Sequence, residues 1–159
     1  LTSKLRIVVD ADACPVKNEI IAVALEMGAG VIFVASYAAF APDWQLANHD
    51  IHTIFVDQAF QAADIYIANA ARSGDVVVTN DYGLAALCLP RGAYVITPRG
   101  GELTSDNVDE YLSRRHISSK SRRAGIRTKG PRAMSESDRE NFQHKLTKLL
   151  RYEQEKLSP

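Results

Sequence analysis

The chain has 159 residues, 46% of them hydrophobic, with 19 basic and 19 acidic residues that balance to zero. That length suits one domain with a proper core and is short for two. The longest nearly unbroken apolar run, VIFVASYAAFA from Val31, falls far below the roughly 18–20 residues of a membrane helix.

The stretch before the first strand does not read as a signal peptide, and Cys14 and Cys88 lack CxxC or metal-type spacing. The expectation is a reduced, cytoplasmic chain with no membrane attachment. The neutral total conceals a partition. Residues 1–112 hold 6 Lys/Arg against 14 Asp/Glu, residues 113–132 hold 8 against none, and residues 133–159 hold 5 against 5. An acidic body carrying a basic strap points to a metal on the body or nucleic acid on the strap.

In chain order, short β-branched runs alternate with helical patterns. LRIVVD (5–10) predicts a strand, Pro15 to about Met27 a helix with a first-turn proline and Gly28–Gly30 to stop it, and VIFVAS (31–36) a second strand. Residues 37–48 are irregular and contain Trp44. HTIFVD (52–57), a helix over 59–72, DVVVTN (75–80), a helix from Tyr82 to Leu89, and AYVIT (93–97) follow. Continuous Val/Ile runs are the mark of parallel strands buried on both faces, so the chain reads as an α/β sandwich. After Thr104 comes a helix to about Arg114, then the strap, then a final helix opened by Ser135 with Asp138 three residues on, as in a capping box. Phe142, Leu146, Leu149 and Leu150 give that helix one apolar stripe, to dock on the body or on another copy. The organisation expected is a body over 1–112, a strap over 113–134 and a C-terminal helix over 135–159.

In an open parallel sheet the functional crevice lies beyond the carboxyl ends of the strands. Asp10 ends the first strand with Asp12 just behind, Asp57 ends the third, and Asn80 and Asp81 end the fourth. Asp64 heads the stripe Asp64, Ile67, Ala68, Ala71 on the helix between, which points it at the sheet. Independent caps and turns would place aspartates in the same positions one at a time. Converging carboxylates repel one another, and a divalent cation is the usual compensation, with Mg²⁺ or Mn²⁺ suited to all-oxygen ligands. Cys14 stands at a helix start, where a dipole lowers a thiol pKa, although no histidine is near it in sequence and buried packing is the simpler role. The strap, SRRHISSKSRRAGIRTKGPR, spaces Arg and Lys among Ser, Thr and Gly, as phosphate contacts require, and has no aromatics with which to read bases. A solvated charge run has the same composition.

Two resemblances bear on these residues. ADIYIANAARSGDVVVTNDYGLAALCLPRGAYVITPRG (63–100) looks like the second half of a PIN-like nuclease domain, with its Asp opening an apolar helix and its T-x-D followed by Leu-Ala. DADACPVKNEI, VVTNDYGLA, the PRG at 98–100 and RRAGIRTKGP resemble the bacterial YaiI/YqxD family, of uncharacterised function, over nearly the whole chain. The resemblance implies a PIN-like three-layer sandwich with a mostly parallel sheet, and a Mg²⁺- or Mn²⁺-dependent phosphodiesterase acting on RNA. Asp10, Asp64 and Asp81 would be the metal ligands, and Asp12 a fourth ligand or support for them. Lys17, Thr79, Arg99, Arg122, Arg123, Arg127 and Lys129 would meet substrate phosphate or RNA. PIN enzymes also place an acid on a helix midway along the domain. Here residues 36–50 offer Asp43 and Asp50, and Glu19 is a candidate substitute. The same features would serve an inactive RNA- or ribosome-associated binding protein. The D-x-D also resembles haloacid-dehalogenase phosphatases, with Asp10 as nucleophile and Asp12 as acid/base. That family, however, has Thr or Val where Cys14 stands, and its later acids follow a strand that Asp75 precedes.

Overall fold

The structure, a computed structural model, describes residues 4–36, 50–59, 61–110, 112–113 and 132–158. Six strands form one sheet: β1 (Arg6–Asp10), β2 (Gly30–Ser36), β3 (Ile51–Val56), β4 (Val76–Val78), β5 (Tyr94–Ile96) and β6 (Glu102–Leu103), in the order β3-β2-β1-β4-β5-β6. All pairings are parallel except β5 with β6. The continuous apolar runs are explained by the packing, since alternate residues of each central strand enter different layers. On one face Ile7, Val9, Val31, Phe33, Val76 and Val78 pack with α1 (Lys17–Met27) and α5 (Glu136–Leu157). On the other, Val8, Val34, Val77 and Val95 pack with α2 (Ala62–Ala70), α3 (Tyr82–Cys88) and Val108 of the helical stretch α4, residues 105–110. The result is a three-layer α/β sandwich.

Two details differ from the sequence reading. Pro15 lies outside α1, whose cap is Val16 and whose first helical residue is Lys17. The left-handed Gly28 (φ 68°) does end that helix. β6 was not foreseen, because two residues are too few to show a period.

The final helix opens on a complete capping box. The Asp138 N–H donates to Ser135 Oγ at 3.1 Å, and the Ser135 N–H donates to Asp138 Oδ2 at 3.0 Å. Its stripe of Phe142, Leu146, Leu149 and Leu150 is buried against α1 and the sheet. At its far end Tyr94 Oη donates to the buried Glu153 at 3.1 Å. No helix among the described residues is long and apolar enough to cross a membrane.

The sheet changes direction at β1. From it the chain winds outward through β2 to β3, then crosses back by α2 to β4 on the other side. The carboxyl ends of β1 and β4 therefore form the crevice at the switch point, where α/β proteins of this winding bind ligands.

Candidate active site: an aspartate-lined cavity at the switch point

A cavity of about 890 Å³ opens there. Asp10, Asp12, Asp57, Asp64 and Asp81 all line it, together with Ser36, Gln61 and Gly83. Four of these aspartates arrive on different local devices, and Asp57 directly follows β3. Asp10 is the last residue of β1, and Thr79 Oγ1 donates to its Oδ2 at 3.0 Å. Thr79 is buried and in turn accepts from the Asp81 N–H at 3.0 Å, so one threonine fixes two of the acids. Asp81 caps α3 by accepting from the Leu84 N–H at 3.1 Å. Gly83 leaves room for that carboxylate, since a Cβ there would sit 3.2 Å from Oδ1. Asp64 stands in the first turn of α2, one turn before the fully buried Ile67. Asp12 accepts from the Ser36 N–H at 2.9 Å, which ties the turn after β1 to the end of β2.

Two non-glycine residues with left-handed backbone border this arrangement. Ala13 (φ 60°) follows Asp12, and Gln61 (φ 63°) precedes α2. Such conformations cost on the order of 1 kcal/mol or more each and gather at functional sites.

Asp10 shows what the arrangement does electrostatically. Burial, opposed by the Thr79 hydrogen bond and reinforced by the charges of Asp64, Asp12 and Asp81, raises its pKa from 3.8 to about 6. Among the described residues, no three His, Cys, Asp or Glu side chains close on one point as a ready set of metal ligands. The acids share a cavity rather than a finished coordination shell.

Other predicted residues lie elsewhere. Glu19, the candidate substitute acid, is paired with Arg139 at 3.0 Å between α1 and α5 and does not line the cavity, which corrects that expectation. Arg99 donates to Asp138 at 2.7 Å and to the carbonyls of Ala133 and Arg132, so its guanidinium secures the start of α5. Lys17 is the first residue of α1 and is not among the cavity's described lining. Cys14 is buried, and that burial pushes its thiol up to about 11, the opposite of an activated nucleophile. Arg122, Arg123, Arg127 and Lys129, with Asp43 and Trp44, lie outside the described residues. Sequence reasoning did not find Ser36 or Gln61. A backbone N–H has no signature in sequence, and nothing marks a glutamine before a helix.

Fold and site together define a three-layer α/β protein with a carboxylate-lined crevice at its topological switch point. Residues 8–152 match the family described as Uncharacterized BCR, YaiI/YqxD family, and the chain belongs to it. It is 48% identical to a UPF0178 protein of Bacillus velezensis, over 91% of this chain and 84% of that one. It is 45% identical to a UPF0178 protein of Halalkalibacterium halodurans, over 94% and 92%. A UPF0178 protein of Oceanobacillus iheyensis is 44% identical, over 87% and 93%. No solved structure matches the chain.

Proposed function

We propose that this protein is a Mg²⁺- or Mn²⁺-dependent phosphodiesterase of PIN-like type that acts on RNA. The observation that carries the reading is the gathering of Asp10, Asp12, Asp57, Asp64 and Asp81 around one cavity, with Asp10 raised to about 6 partly by its neighbours. An all-carboxylate lining suits a hard divalent cation. Mg²⁺ suits such a lining because it keeps several waters and completes its shell with substrate phosphate, so the acids need not close into a full coordination cage.

Asp10, Asp64 and Asp81 would hold the ion. Once bound, it would supply positive charge to the phosphate and to the group that attacks it. Thr79 holds Asp10 and the Asp81 backbone in register, and the Ser36 N–H keeps Asp12 facing the same turn. The basic residues of the strap, Arg122, Arg123, Arg127 and Lys129, would hold the RNA backbone, adding affinity without sequence preference.

The test is cleavage of an end-labelled single-stranded RNA in Mn²⁺, with chelator and Asp10→Asn controls. Cleavage that needs both the metal and Asp10 supports the reading. Binding of the RNA with no cleavage by the wild type would instead make the protein a binding module.

A further inference from the structure

A second concavity adjoins the acid cavity. It runs between β3 and α2, measures about 760 Å³, and is lined by Phe55, Val56, Ile65, Tyr66, Asn69 and Ala70. Asp57, Ala59, Ala62 and Ile65 line both, so the two open into one another.

The groove accounts for an oddity of α2. AADIYIANA is apolar around most of its circumference, which ordinarily means a helix covered on all sides. Ile67 is fully buried on the sheet side, yet Ile65 is 58% exposed at the groove. Apolar surface left open beside a polar cavity marks a ligand site. An occupant that reaches from this groove into the acid cavity would be apolar at one end and, with a cation held by the aspartates, anionic at the other. A nucleotide joins those two properties in one molecule.

We propose that this groove is the base subsite of the substrate, with a nucleobase lying against the Tyr66 ring and the Asn69 carboxamide meeting its edge. The inference rests on the acid cavity being a phosphate site. Stacking on an aromatic tolerates any base, whereas a carboxamide offers both a donor and an acceptor and matches the edge of adenine best. The subsite would supply the base contacts that the strap, without aromatics, cannot.

The experiment is calorimetric titration of the full chain in saturating Mn²⁺ with 5′-AMP and with ribose 5-phosphate, neither of which has a phosphodiester to cleave. Wild type should bind 5′-AMP about tenfold to a hundredfold more tightly, as expected for stacking on one aromatic. Tyr66→Leu keeps apolar packing and removes the ring, and the exposed Asn69→Leu removes the carboxamide. Each should shrink that ratio while leaving ribose 5-phosphate affinity unchanged. Asp10→Asn should weaken both ligands and preserve the ratio. Equal binding of the two ligands by wild type overturns the base subsite and leaves the phosphate site standing. Failure of both ligands to bind overturns the phosphate reading and the subsite with it. A ratio that survives both groove variants places the base elsewhere and overturns the proposal. So does a change of oligomeric state in Asn69→Leu with 5′-AMP binding intact, which would assign the groove to a second copy.

Discussion

The two ends of β1 and β4 treat charge in opposite ways. At the amino ends Arg6 meets Asp75 through two hydrogen bonds, 2.9 Å and 3.1 Å, and both side chains are buried. The Ala70 carbonyl takes a further guanidinium N–H, and the Arg72 N–H donates to Asp75 at 2.8 Å. Burial holds the Asp75 carboxyl above its ordinary value, while the Arg72 N–H and the Arg6 guanidinium pull against that. At the carboxyl ends, a few residues along the same strands, Asp10 is also raised by burial, but the charges that act on it are those of three further aspartates. One end is a closed ion pair that completes the fold. The other accumulates like charge, which costs stability and is retained where a site needs it.

The largest effect should come from opening the closed end. Arg6→Ala leaves Asp75 buried without its cation, which costs about 3–5 kcal/mol. Urea unfolding measures it, and a loss below about 1 kcal/mol would show that the pair is not the internal tie its geometry implies.

The carboxyl end should respond with the opposite sign. Because the folded pKa of Asp10, about 6, exceeds the unfolded 3.8, the folded state binds more protons between about pH 4 and 6. Stability should therefore fall as pH rises through that window, and the full penalty should apply above it. Removing the charge with Asp10→Asn should stabilise the metal-free protein near neutral pH by about 1–3 kcal/mol and flatten the slope. Asp138 behaves conversely. The Arg132 side chain, with the Ser135 N–H, holds its pKa well below the usual range, so its contribution is present above about pH 4 and lost only below it. Thermal midpoints across pH for wild type and Asp10→Asn separate the two groups. An unchanged slope between pH 4 and 6 in the variant would remove Asp10 from the account.

A smaller change sharpens the same end. Thr79→Val deletes the hydroxyl that donates to Asp10 and accepts from the Asp81 N–H. It should cost about 1 kcal/mol and move the titration of Asp10 upward, as followed by carboxyl carbon chemical shifts.

How much of this was legible in sequence follows from how local each cause is. The strand runs, the Gly28 stop and the Ser135–Asp138 box are written in neighbouring residues, and the structure shows each of them. Five acids at the carboxyl edge followed from strand ends and one helical stripe, because the winding of a parallel sheet dictates where those ends meet. The roles of Glu19 and Arg99 were not legible. Their partners, Arg139 and Asp138, lie 120 and 39 residues away, and only the docking of α5 brings them together. Nor could sequence foresee that α2 would carry surplus apolar surface on its outer side. A stripe of Ile67 and Ala71 and a face of Ile65 and Tyr66 look alike until the sheet takes one of them.

The central claim is that the acid edge exists to take a cation, and direct titration of Mn²⁺ into the metal-free protein by calorimetry tests it. The account predicts saturable binding by wild type, weakened at least about tenfold in each of Asp10→Asn, Asp64→Asn and Asp81→Asn, with far-ultraviolet circular dichroism unchanged and binding intact in Arg99→Ala. No saturable heat in wild type, or wild-type affinity retained in all three aspartate variants, would contradict it.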